Sequence, residues 1–368
     1  MTRPRSIGFI AAALLVAGAT TATCFGDALG IVPAHAEPLG SAVSSAPLGT
    51  TSTPLEVLRS AKPWLSPDGA GALRGKVVVV NFWTYSCINS LRALPHLRAW
   101  SERYKDSGLV VVGVHAPEFA FEHDPAKVRL ALTQLGIRYP NVQDNDYAVW
   151  RDFANEGWPG FYFIDGKGRV RGYRIGEGDY DGAERLIRQL LKEAGRDPSN
   201  IPVTRVVGTG IEAEADWRDL GSPESYLGYA KADGFRSPGG IRRDMASDYA
   251  APSALPLDGW GLSGKWTVGR EFAVLGGPTG AVHFRFHARD AHLVLGGAAD
   301  GQPVRFRVTI DGAAPGADHG TDVNAEGWGE VREDRLYQLV RQTGAIRDHT
   351  IAVEFSRPGA RAYVFTFG

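Results

Sequence analysis

The sequence predicts an α/β domain followed by an all-β sandwich, and three observations predict it. Up to about residue 194, buried-strand runs alternate with helical stretches. Beyond about residue 210 only short, mostly alternating runs remain, divided by Gly, Asp and Pro clusters. Between them Pro198 and Pro202 interrupt both patterns. A chain of 368 residues accommodates about two domains of ordinary size.

The elements follow in order. Arg3 and Arg5, the apolar run Ile7–Val16 and the small-x-small triplet Ala34-His35-Ala36 predict a signal peptide over 1–36, cleaved after Ala36. An uncleaved anchor helix is the alternative. Residues 37–53, rich in Ser, Thr, Ala, Gly and Pro, read as a flexible linker. The α/β domain is expected over 54–196. Lys76–Trp83 is a continuous apolar run, as a buried parallel strand requires. Ile88, Leu91, Leu94, Leu97 and Trp100 then recur at helical spacing. Leu109–Val114 is a second buried strand, and Lys127–Leu135 a helix. Gly160–Ile164 and Arg169–Ile175 flank the turn Asp165-Gly166-Lys167-Gly168 and predict a hairpin. Glu184–Ala194 closes the domain as a helix with Gly195 as its cap. A linker over 197–209 leads to a jelly-roll-like sandwich over 210–368. Its expected strands are Trp266–Leu275, Ala281–Ala288, His292–Leu295, Val304–Ile310, Arg335–Val340, His349–Phe355 and Ala360–Phe367. Gly221–Ala250 reads as an irregular lead-in with surface aromatics.

A net charge of -1 gives no case for nucleic acid or an acidic membrane surface as partner. Of the two cysteines, Cys24 falls in the expected leader, which leaves Cys87 as the only thiol of the mature chain. Cys87 stands where a buried strand hands over to a helix. Unpaired N–H groups and the helix dipole favour a thiolate there, so a lowered pKa and a nucleophilic sulfur are expected. A small buried core residue is the plainer alternative. His115 and Glu118 follow the second strand at the same sheet edge, where either could tune the thiolate or move a proton. Solvated loop residues would look the same. Trp83, Tyr85 and Trp158 are expected to form an apolar rim for substrate, with core packing the competing reading for Trp83. Asp144 and Asp146 read as turn and cap residues.

The segment Trp83-Thr84-Tyr85-Ser86-Cys87-Ile88-Asn89-Ser90 resembles a family signature that ends in a second cysteine. Gly113–Glu122, Asp144–Tyr147, Trp158-Pro159 and Gly176–Tyr180 resemble further segments of the same family. Together they identify a resemblance, over about 62–195, to the redoxin (TlpA-like) part of the extracytoplasmic cytochrome c biogenesis and disulfide-relay proteins of the DipZ family. Tyr226–Tyr229, Arg335–Arg341 and Phe365–Gly368 resemble that family's carbohydrate-binding-module-like C-terminal β-domain. The resemblance implies an α/β thioredoxin-like fold followed by an all-β jelly-roll-like sandwich. It implies a cis proline at Pro159 beside the reactive cysteine, and a structural, helix-kinking Pro95. Many members also carry a multi-helix membrane electron-transfer domain.

In this family the second cysteine resolves the mixed disulfide that the first one forms. Ser90 stands in its place. A hydroxyl can hydrogen-bond a thiolate but supplies no second sulfur. Three readings follow: a single-thiol protein completed by an external thiol, a variant whose parent had cysteine at 90, or a protein that retains only binding. The expected function is an extracytoplasmic thiol–disulfide oxidoreductase-like activity at Cys87, with Ser90 and Pro159 in the site. Its partners would be protein or small-molecule disulfides and thiols, and a separate membrane thiol reductant. The alternatives are a non-catalytic scaffold that uses the sandwich and, more remotely, a thiol peroxidase. Thr84-x-x-Cys87 fits part of a peroxidase pattern, but Val80 stands where that pattern has proline. Trp217, Trp260, Trp266 and Trp328, with Asp311, Asp318 and Asp322, admit a glycan site on the sandwich. Core aromatics and turn aspartates explain them as well. No cofactor and no metal are expected.

Overall fold

The computed structural model describes residues 53–66, 71 and 73–368. The expected leader at 1–36, and the expected linker except Thr53, lie outside the described residues. Thr53 caps the first helix, α1 (Pro54–Ser60), through a reciprocal pair with Glu56. The apolar run then forms β1 (Val77–Trp83), with every residue buried. It is followed by α2 (Ile88–Tyr104), β2 (Leu109–His115), α3 (Pro125–Gln134), β3 (Asn141–Gln143) and α4 (Ala148–Asp152). The hairpin β4 (Gly160–Ile164) and β5 (Val170–Ile175) leads to α5 (Tyr180–Glu193).

These strands make one sheet in the order β3-β2-β1-β4-β5. β1 is central, parallel to β2 and antiparallel to β4. Burial on both faces explains why its sequence is continuous rather than alternating. α2 and α5 pack on one face and α1 and α4 on the other. This is the thioredoxin-like fold. The short β3 and α4 are additions to the predicted order. β3 exists because Asn141 and Val142 pair with Gly113 and Val114 of β2. Gly113 must be glycine, because a Cβ there would lie 1.9 Å from Asn141 Oδ1, the acceptor of the Trp83 indole N–H at 2.9 Å.

The second half is all-β, and every pairing between its strands is antiparallel. Its strands are β6 (Ser225–Tyr226), β7 (Ala246–Tyr249), β8 (Trp260–Val268), β9 (Ala273–His287) and β10 (Asp290–Gly296). They continue with β11 (Val304–Ile310), β12 (Trp328–Val331), β13 (Arg335–Arg341), β14 (Asp348–Phe355) and β15 (Arg361–Phe367). The curled sheet encloses its own aromatic core, which includes Trp260, Trp266, Phe284 and Phe365, consistent with the expected sandwich. Trp266–Leu275 is not one strand. β8 ends at Val268 and β9 starts at Ala273, because the chain turns between them, with Gly269 N–H donating to Phe272 C=O at 2.8 Å. β9, at 15 residues, is well over twice the usual strand length: its first residues pair with β15 and its last eight with β14. The predicted lead-in contains β6 and β7, and Tyr226 and Tyr249 are buried rather than on the surface.

The two halves share a core. Tyr85, Phe119 and Phe121 from the α/β half pack in one apolar cluster with Tyr226, Val294, Leu336, Tyr363 and Val364. Tyr363 stands 5.0 Å from both Phe119 and Phe121, ring centre to ring centre. Polar contacts flank it: Arg98 makes a bidentate pair with Glu212 at 2.7 Å, and Ala120 N–H donates to Glu271 at 3.1 Å. No helix among the described residues is long and apolar enough to cross a membrane.

Candidate functional site around Cys87

β1 and β2 end side by side, Trp83 opposite His115, so the loops after them leave the sheet at one edge. Crevices at the carboxyl ends of parallel strands are where such folds place their chemistry. The β1 loop delivers Cys87 to the N-cap of α2, and Leu91 N–H donates to its carbonyl at 3.0 Å. Across β1, Gly160 pairs with Phe82, which brings Pro159 level with Trp83. The Trp158–Pro159 peptide is cis. Pro95 lies inside α2.

The sulfur is not the exposed thiolate that the sequence suggests. Cys87 is 8% exposed and its thiol pKa is raised. Burial is the first cause, and the carboxylates of Glu118 and Glu224 add to it. The Ser90 N–H and hydroxyl beside the sulfur pull the other way, more weakly. The sulfur makes no well-formed cap hydrogen bond, so the helix terminus lends it little. Ser90 is itself buried, and its hydroxyl has no hydrogen-bond partner of normal geometry.

The other predicted residues divide. His115 is not in a solvated loop. It is fully buried, 5.3 Å from Trp83 and stacked 5.6 Å from Tyr85, ring centre to ring centre. Neither ring nitrogen has a partner among the described residues, and burial drives its pKa down to about 3, so the ring is neutral. It packs the site and carries no charge at neutral pH. Glu118 is close to the sulfur and is held by the Tyr226 hydroxyl and by Lys231 Nζ at 3.5 Å. Of the expected rim, Trp83 is core: fully buried, with its indole bonded to Asn141. Trp158 keeps partial exposure while donating to Ala116 C=O at 3.1 Å. Tyr85 is buried, its hydroxyl unpartnered, on the wall of a cleft of about 400 Å³ between α3 and the loops before β11 and β13. Asp144 accepts Val149 N–H at 3.0 Å and Trp150 N–H at 2.8 Å, as a capping residue should.

Glu122, to which the sequence reading gave no role, connects the two loops. One carboxylate oxygen accepts from the hydroxyls of Thr84 and of Ser86, the latter at 2.6 Å. The other accepts the N–H groups of Glu118 at 2.6 Å and Phe119 at 3.1 Å. Burial nevertheless dominates and raises its pKa to about 7. The one available signal is a carboxylate placed among aromatics, Phe119-Ala120-Phe121-Glu122. Glu224 and Tyr226 were also missed as site residues.

On the β side, Trp260 and Trp266 are fully buried core, while Trp217 and Trp328 are each 38% exposed. Asp311, Asp318 and Asp322 hold His349, Thr343 and Arg335. No group of three or more metal-ligating side chains occurs among the described residues.

Residues 70–173 match the AhpC/TSA family, and residues 222–368 match the family described as thioredoxin like C-terminal domain. The α/β half is therefore similar to redoxin domains of the AhpC/TSA family, and the all-β half to the C-terminal domain of that second description. This redoxin-plus-C-terminal arrangement is similar to Protein DipZ of Mycobacterium bovis, 37% identical over 263 residues, which are 68% of this chain and 37% of that protein. The chain thus spans little more than a third of the length of that relative. The redoxin domain is also similar to the thiol-disulfide oxidoreductase YkuV of Bacillus subtilis, 28% identical over 142 residues, 38% of this chain and 95% of that one. Among solved structures, a secreted Mycobacterium tuberculosis disulfide oxidoreductase homologous to E. coli DsbE covers 37% of the chain and 98% of its own length, at 21% identity and a TM-score of 0.30.

Proposed function

We propose that this chain is an extracytoplasmic thiol–disulfide exchange protein that reacts through Cys87 and depends on an external thiol to complete its cycle. The observation that carries this reading is the placement of Cys87 at the N-cap of α2, with Ser90 one helical turn on where a resolving sulfur would stand. Pro159 borders the same edge and leaves an extended substrate peptide a place to pair. In the reaction the Cys87 thiolate attacks a substrate disulfide. One S–S bond breaks, a mixed disulfide forms and a thiol leaves. A second thiol, from a membrane reductant or a small molecule, must then attack the mixed disulfide. No sulfur at position 90 does so. The likeness to YkuV and DipZ supports the reaction class.

Peptide-level mass analysis of the full chain with oxidised glutathione, reading Cys87 apart from Cys24, tests this. The expected product carries one glutathione on Cys87, stable until an external thiol is added. Ser90→Cys should replace the adduct with an internal disulfide. A native Cys87 that takes up no glutathione, while the denatured chain does, would remove the reading. A second reading then takes over, a binding or scaffold protein, and the burial and raised pKa of the Cys87 thiol already favour it. The peroxidase reading loses ground, because the Thr84 hydroxyl is committed to Glu122.

A further inference from the structure

Tyr226 joins two carboxyl groups across the domain boundary. Its hydroxyl lies within hydrogen-bond distance of Glu118 in the redoxin domain and 3.0 Å from Glu224, the residue before β6. A phenol has one proton and can donate to only one of them. Both contacts are therefore satisfied only when one of the two carboxyls carries a proton, and the burial and neighbouring Glu118 charge that raise the Glu224 pKa place that proton on Glu224. Lys231 Nζ, 3.5 Å from Glu118, stabilises the charge at that end and sits 4.2 Å over the Tyr226 ring.

This chain of groups is tied through Glu122 to the loop that carries the thiol, and its two carboxyls act on the thiol electrostatically. Glu118 N–H and Ser86 Oγ are each 2.6 Å from the Glu122 carboxylate, and Ser86 precedes Cys87. Pairing of Val364 with Tyr226 and Phe365 with Ser225 fixes the backbone beside Glu224. The charged groups around Cys87 are therefore Glu118 and Glu224, with Glu122 behind them and Lys231 beyond Glu118. The buried Ser90 hydroxyl, with no conventional partner, lies against the same sulfur.

We propose that Glu224 is a positioning residue for Cys87, the proton-storing end of a Glu224–Tyr226–Glu118 chain through which the C-terminal domain sets when the thiol ionises. While Glu224 holds its proton, the sulfur faces the single negative charge of Glu118. Once that proton leaves, the sulfur faces two, and the thiolate is disfavoured. Burial and the Glu118 charge raise the Glu224 pKa to about 8, which places the change there. The proposal rests on Cys87 as the reacting sulfur.

The pH dependence of Cys87 alkylation by iodoacetamide in the full chain tests it without any disulfide substrate. Glu224→Gln keeps a neutral donor against Tyr226. It should match the parent below about pH 7 and react about tenfold faster at pH 9, one pKa unit of relief. Lys231→Ala should slow the reaction at every pH, since Glu118 loses its counter-charge. A domain merely loosened by substitution would expose the thiol and speed both variants at all pH values, which would overturn the proposal. So would a reactive Cys87 whose profile is the same in all three proteins. A Cys87 inert in all three while the denatured chain reacts would instead remove the exchange reading, and this inference with it.

Discussion

Glu122 holds the Thr84–Ser86 loop against the Glu118–Phe119 loop with four hydrogen bonds, and it does so from full burial. Its folded pKa of about 7 lies above its ordinary value of 4.5, so the folded chain binds its proton more tightly than the unfolded chain. The stability this contributes is complete below pH 4.5 and is lost as pH rises through 7. The loss is on the order of 3 kcal/mol from this group. Glu177, also raised to about 7 by burial, acts in the same direction. Denaturant unfolding should therefore show lower stability at pH 8 than at pH 5. Glu122→Gln should flatten the difference, because an amide can accept the two backbone N–H groups while Thr84 and Ser86 turn their hydroxyls to accept from it. Glu122→Ala leaves those donors unpaired and should cost about 2–4 kcal/mol at either pH. A Gln variant with the parent's full pH dependence would show that the titration belongs elsewhere.

At the scale of elements, α2 reaches beyond its own domain. Arg92 pairs with Glu177 at 3.2 Å in near-complete burial and donates to Phe367 C=O, at the end of β15, at 3.0 Å. Arg92→Ala strands a buried carboxylate and should cost about 3–5 kcal/mol in chemical unfolding. Arg92→Ala combined with Glu177→Gln should recover part of that, and a fully additive double variant would mean the two do not interact. Such links also explain what the sequence could and could not disclose. β1, β4 and β11 are legible because local runs of apolar or alternating residues determine them. β9 is not, because Gly276, Gly277 and Pro278 read locally as a turn, whereas pairing with β8 on either side of them, Leu275 with Trp266 and Gly280 with Gly264, holds the strand across a register shift there. Cys87 is legible from its strand–helix junction. Its burial is not, since it depends on groups from other elements, Glu118 after β2 and Glu224 in the C-terminal half. Trp83 looked like rim for the same reason: the Asn141 that accepts its indole belongs to β3, a strand too short to leave a pattern.

Taken whole, the described residues behave as one compact unit, with the site under the seam between its halves. Tyr363 of the C-terminal domain packs on Phe119 and Phe121, and Phe121 in turn on Tyr85, two residues from Cys87. Opening of this seam should therefore add a second route to the thiol beside reaction in the closed arrangement, and the share of reactivity that takes it should report the opening free energy. Tyr363→Ala removes the central ring and should destabilise the chain by about 3–5 kcal/mol. Only the part of that loss felt by the open state with both halves folded accelerates alkylation, at about 1.4 kcal/mol for each tenfold. The expected result is Cys87 alkylation at fixed pH 7 at least tenfold faster than in the parent, under conditions where both remain folded by circular dichroism. The parent should unfold in one calorimetric transition, because a shared core couples the halves. A Tyr363→Ala protein that melts earlier yet alkylates at the parental rate would mean that reagents reach the sulfur by a path other than the seam. The C-terminal domain would then be a neighbour of the site and not its cover.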